Sequence, residues 1–278
     1  MSDTLRFLPA PGADALPRRI VCLTEETTET LYLLGEQDRI VGISGFTVRP
    51  PEARRDKPRV SAFTHANIDR ILALAPDLVL AFSDLQADIA AQLVRAGVAV
   101  HVFNQRDLAG IRRMILLLGA MVGAGHAALR LVERLWAGLA EIERAASAFR
   151  QRPCVYFEEW DEPLISGIGW VSELIGLAGG RDCFAELAAA PDARSRIIAD
   201  PQEVVRRRPD IIIGSWCGKR FRPERVAARP GWEAIPAVAD GHLYEIKSAL
   251  ILQPGPAALT DGVRALHDII ADWVAQHT

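Results

Sequence analysis

Two stretches of this chain follow one pattern, although only their Pro-Asp pair is identical. NIDRILALAPDLVL runs from Asn67 to Leu80, and DPQEVVRRRPDIII from Asp200 to Ile213. Each begins with a residue suited to cap a helix, continues through a short helix, and meets a Pro-Asp turn. Each then enters a buried-strand run of β-branched residues or leucine. The spacing is too long for a solenoid and fits two similar α/β lobes. Two lobes imply a cleft, and small ligands bind in clefts.

With 278 residues, half of them hydrophobic, the chain can build such cores without metal or disulfide. A net charge of -3 gives no general attraction to nucleic acid or anionic membrane. No apolar run reaches the roughly 18 residues a transmembrane helix needs. The residues from Met1 to Gly12 lack the basic start and apolar stretch of an export signal, so a cytoplasmic protein is expected; an omitted upstream signal would make it periplasmic. Cys22 and Cys154 lie in strand-like runs, Cys183 after a Gly-Gly turn and Cys217 in a loop. None has zinc-type spacing, so four free thiols are expected.

The rest of the chain alternates strand and helix, which predicts parallel, helix-covered sheets. Residues 1–17 read as an irregular tail and 18–122 as an N-terminal α/β lobe. A linking helix is expected over 123–150 and a C-terminal α/β lobe over 151–278. Val132, Leu135, Leu139, Ile142 and Phe149 share one helical stripe, and His126 to Phe149 would span about 36 Å at 1.5 Å per residue.

The order IVCLTEETTETLYLLG, RIVGISGF, RPPEAR, VSAFTHANIDRILALAPDLVLAF and LISGIGWVSELIGLAGG resembles the helical-backbone substrate-binding proteins of ABC importers. The resemblance covers about residues 18–275 and is nearest to the cobalamin-binding branch; iron-siderophore and haem binders are sister branches. It implies two Rossmann-like lobes with central parallel sheets joined by one long helix, a ligand between them, and no catalysis. Cobalamin or a related corrinoid is then a ligand rather than a catalytic cofactor, and an ABC permease is a possible partner.

Ligands of parallel sheets bind outside the carboxyl ends of the strands. The candidate ligand residues on these loops are Glu25, Phe46, Arg49, Phe63, His65 and Phe82 in the first lobe. In the second they are Glu159, Trp160, Trp216 and Lys247. A flat macrocycle suits aromatic faces, and its polar rim suits a few polar partners. By the resemblance, Phe46, Phe63 and Phe82 fall where cobalamin binders carry aromatic residues. His65 is the candidate for reaching a chelated metal, since imidazole is a common ligand for cobalt or iron.

The acidic run Glu158-Glu159-Trp160-Asp161-Glu162 also invites an enzyme reading. Alternation along a strand sends Glu158 and Glu159 to opposite faces, so they are not expected to act as a pair. The expected role is to bond ligand amides or solvent. No phosphate loop, nucleophile elbow or H-E-x-x-H is present. Three readings result: a corrinoid binder with a role in cytoplasmic handling or salvage, a binder of ferric siderophore, haem or another metal chelate for an importer, and a cytoplasmic enzyme on the same scaffold. The resemblance implies an acidic docking residue on each lobe. Asp69 stands seven residues before Pro76, whereas Gln202 holds the matching place before Pro209, with Glu203 one step on. One step rotates a helical side chain by about 100°, so a weakened docking pair is expected.

Overall fold

A computed structural model describes residues 15–277; the expectation of an irregular tail therefore falls mostly outside the described residues. The first five strands are β1 (Ile20–Cys22), β2 (Ile40–Ser44), β3 (Arg59–Ser61), β4 (Leu78–Phe82) and β5 (Val100–Phe103). They form one wholly parallel sheet in the order β3-β2-β1-β4-β5. All residues of β1 and β4 are buried, as parallel strands covered on both faces require. The strand order reverses direction between β1 and β4, and ligand crevices of open α/β sheets lie at such a reversal.

The second sheet contains β6 (Cys154–Asp161), β7 (Leu164–Ser166), β8 (Arg181–Asp182), β9 (Ile211–Gly214) and β10 (Leu243–Glu245). Its order is β10-β9-β6-β7, with β8 also paired to β6. Only β7 is antiparallel; it folds back from β6 through Glu162 and Pro163. Three strands, β3, β7 and β8, were not anticipated. They are three, three and two residues long, too short to show a period of two.

The chain divides into two compact units, Met1–Asn104 with Ile115–Leu129, and Gln105–Met114 with Arg130–Thr278. The helix Gly125–Ala146 has 22 residues, about 33 Å at 1.5 Å per residue, and contributes to both units. The preceding helix, Leu108–Met121, stops before Gly123, which takes a φ of +76°.

The two sequence repeats form the same local structure. Helices Ile68–Ala73 and Gln202–Arg207 each have six residues. Asn67 caps the first by accepting the Arg70 N–H at 2.9 Å. The residue before each proline is left-handed, Ala75 at φ 43° and Arg208 at φ 48°. This reversal aims the chain into the strand, and the aspartate after each proline anchors the strand beside it. The Asp77 carboxylate accepts the Arg18 and Arg19 N–H groups at 2.7 and 2.9 Å, and Asp210 accepts the Cys154 N–H at 2.7 Å. The repeat is thus a device for starting β4 beside β1 and β9 beside β6.

Gly214 ends β9 against a buried ring. A Cβ there would lie 1.9 Å from Cδ2 of Phe221, which is 2% exposed and meets Trp216 edge-on at 5.1 Å. Gly214→Ala is expected to destabilise the second unit by about 1–3 kcal/mol through overpacking. All six tryptophans lie in that unit, so the midpoint of tryptophan-monitored urea unfolding reads the loss. An unchanged midpoint would show that Phe221 moves aside freely.

Candidate functional site

In the first lobe the chain leaves β1 directly into helix Glu25–Leu33. Its first turn places Glu25 and Glu26 inside the protein, 7% and 1% exposed. The Thr24 hydroxyl donates to Glu26 Oε1 at 2.7 Å, while Glu26 Oε2 is buried without a hydrogen-bond partner. Burial raises the Glu25 carboxyl to about 7. It raises Glu26 to about 8, with the Thr24 bond opposing and the neighbouring carboxylates Glu25 and Glu29 adding to the rise. Glu29, one turn on, accepts Arg49 Nε at 2.9 Å. The loop after β2 is therefore tied to this helix through Arg49.

Gln86 organises the remaining loops of this lobe. Its side-chain carbonyl accepts the Phe82 N–H at 2.9 Å, and its amide donates to the Phe63 carbonyl at 2.8 Å and to the Leu23 carbonyl at 3.4 Å. One fully buried amide thus joins the ends of β1 and β4 to the loop after β3. The sequence reading missed it, because a lone glutamine after a strand carries no signal. Phe82 is 6% exposed and closes the core, Phe63 is half-buried, and Phe46 is 46% exposed. His65 is exposed, and its Nδ1 lies 2.9 Å from the Thr64 hydroxyl. Among the described residues, no group of three or more His, Cys, Asp or Glu side chains is placed to hold a metal ion.

In the second lobe Glu158 and Glu159, near the end of β6, are paired from within. Glu158 is 0% exposed and holds Arg229 at both carboxylate oxygens, 2.6 and 2.9 Å. It also accepts the Tyr156 hydroxyl at 3.1 Å and the Trp216 indole N–H at 3.0 Å. Glu159 makes its own two-point pair with the buried Arg196, at 2.6 and 2.9 Å. The two neighbours take different partners, as alternation along the strand requires; Glu158 is closed to solvent and Glu159 is half-buried. Both carboxylates are already engaged by these arginines. Arg196 and Arg229 went unnoticed because they are 37 and 71 residues from their partners.

Trp216 is 3% exposed and packs in the core of the lobe, so its place after β9 makes it a wall rather than an open face. Trp160 is half-buried and donates its indole N–H to the Glu162 carbonyl at 2.9 Å. Lys219 lies over both rings, 4.0 Å from the Trp160 centroid and 5.1 Å from that of Trp216, and pairs with Asp161. Lys247 is exposed in the loop after β10, ahead of helix Ser248–Ile251. Beside Trp216 and Asp161 opens a cavity of about 570 Å³, within the range of small-molecule sites. Glu162 and Arg225 lie on it together with Leu164, Ile198 and Pro230.

Of the two docking candidates, Asp69 is exposed in the first turn of its helix. Glu203 is engaged by Arg206 at 2.7 Å and Arg207 at 2.9 Å. Gln202 donates to the Pro230 carbonyl at 2.9 Å. None of the four cysteines is in a disulfide, and Cys217 is exposed. Among the described residues no helix is long and apolar enough to cross a membrane.

Comparison with known proteins agrees with this architecture. An ABC transporter substrate-binding lipoprotein of Bacillus subtilis (strain 168), YvrC, is 27% identical over 263 residues, covering 91% of this chain and 80% of its own. The vitamin B12-binding protein of Vibrio campbellii is 24% identical over 254 residues, covering 90% and 88%. The periplasmic heme-binding protein RhuT from Roseiflexus sp. RS-1 superposes with a TM-score of 0.76 at 22% identity, over 91% of this chain and 99% of its own. The model of the periplasmic binding protein family matches residues 20–250, and the chain belongs to that family.

Proposed function

We propose that this chain is a non-catalytic substrate-binding protein of ABC-importer type whose ligand is cobalamin or a related corrinoid. The observation that carries the reading is the likeness to the vitamin B12-binding protein of Vibrio campbellii along nine-tenths of the chain. Strand-end aromatics in the first lobe add chemical support, because Phe46 and Phe63 offer ring surface to a flat ligand. Internal pairing of Glu158 and Glu159 with arginines weighs against an acid–base enzyme on this scaffold. The second reading is a haem or other iron chelate, favoured by the fold shared with RhuT.

The name of the Bacillus relative, a lipoprotein, favours work outside the cytoplasm beside an importer. The expected cytoplasmic handling role has no support from these relatives, and we adopt the export-side alternative. Recovery of the native protein in the cytoplasmic fraction would reverse that choice.

Calorimetric titration with cyanocobalamin, cobinamide and haem tests the ligand. Corrinoid binding is expected, and Phe63→Ala should weaken it by roughly 1–3 kcal/mol as a large stacked contact is lost. If His65 reaches the metal, His65→Ala will shift the visible bands of the bound corrinoid; identical spectra would leave His65 a loop residue. Haem binding without corrinoid binding would establish the second reading.

A further inference from the structure

The cavity of the second lobe carries two side chains of opposite charge with no role in holding the lobe together. Glu162, in the turn between β6 and β7, and Arg225, on the short helix Pro223–Ala227, are both exposed. Neither side chain has an ion-pair or hydrogen-bond partner among the described residues. The other charged groups lining the cavity are engaged, Asp161 by Lys219 and Arg229 by Glu158. Leu164, Ile198 and Pro230 make the adjoining surface apolar.

This lining discriminates between ligand rims. A rim bearing carboxylates is attracted by Arg225 but repelled by Glu162. A primary amide offers one carbonyl acceptor and two N–H donors, so it satisfies a guanidinium and a carboxylate together. A corrin rim alternates methyl groups with neutral carboxamide arms, whereas a haem rim ends in two propionates. Apolar walls next to one free donor group and one free acceptor group match the corrin rim.

Resting on the corrinoid reading above, we propose that this cavity receives a carboxamide-bearing edge of the ligand. Arg225 donates to an amide oxygen, and Glu162 accepts from an amide N–H. The second lobe thereby selects neutral arms over carboxylate arms.

The test is calorimetric titration of the full chain with cobinamide, whose arms are amides, and with cobyrinic acid, the corresponding polycarboxylate. Cobinamide is expected to bind about tenfold more tightly or better, because like charges facing each other across a contact are strongly unfavourable. Glu162→Gln should narrow that ratio by about fivefold, chiefly by improving the acid, and Arg225→Gln should weaken cobinamide by a similar factor. Both side chains are exposed, so unchanged thermal midpoints will confirm that the variants fold. Equal binding of the two ligands, or the same ratio in Glu162→Gln, overturns this inference while leaving the corrinoid reading in place. Failure of both corrinoids to bind removes the two together.

Discussion

Replacing Arg229 with methionine is expected to cost the second lobe about 3–5 kcal/mol, the usual penalty for leaving a buried charge without its partner. Glu158 has no exposed surface, and Arg229 supplies both of its strongest contacts. The Tyr156 hydroxyl and the Trp216 indole donate to the same carboxylate, but neither carries a charge that balances it. Adding Glu158→Gln to Arg229→Met should recover most of the loss, since the amide oxygen still accepts one of those donors and no ion remains buried. Urea unfolding followed by tryptophan fluorescence measures both variants in the unit that contains all six tryptophans. A single variant within about 1 kcal/mol of the parent would mean that the pair is solvated and contributes little.

Stability should also fall as pH rises from about 4.5 to 8, because of Glu25 and Glu26. Both carboxyls are raised by burial, to about 7 and about 8, from 4.5 in an exposed chain. Between those values the folded protein holds protons that the unfolded chain has released. The stabilisation is fully present below 4.5 and is lost as pH passes through 7 to 8. Each group contributes a slope of about 1.4 kcal/mol per pH unit across its own window. Glu26→Gln keeps a side-chain oxygen for the Thr24 hydroxyl and removes one titration. Its melting temperature should match the parent near pH 4.5 and exceed it at pH 8, with roughly 2–4 °C for each kcal/mol. Far-UV circular dichroism is the suitable probe, since the first unit has no tryptophan. Parallel pH profiles for parent and variant would refute the assignment. The same raised values mean that the Glu25 carboxyl is largely uncharged at mildly acidic pH, a hydrogen-bond donor and acceptor rather than an anion.

The sequence by itself determined the parallel sheets, the two related lobes and the helix–Pro-Asp–strand repeat. These depend on local rules that act over a few residues. Continuous apolar runs such as LVLAF and IIIG specify strands buried on both faces, and Asn67 marks the start of its helix. The loops after the strands were legible for the same reason, because a strand's end fixes where its loop begins. Tertiary structure alone decided what the side chains on those loops do. Glu158 and Glu159 are acidic in the sequence, but arginines 71 and 37 residues away pair with them. Trp216 follows a strand and lines the cavity, but it is 3% exposed with its N–H committed to Glu158. Gln86 gathers three loops, and Glu162 and Arg225 come to one cavity, through placements that no spacing announces. The physical reason is desolvation. A buried charge or amide must find a partner, and which partner is within reach depends on the folded backbone rather than on the neighbouring sequence.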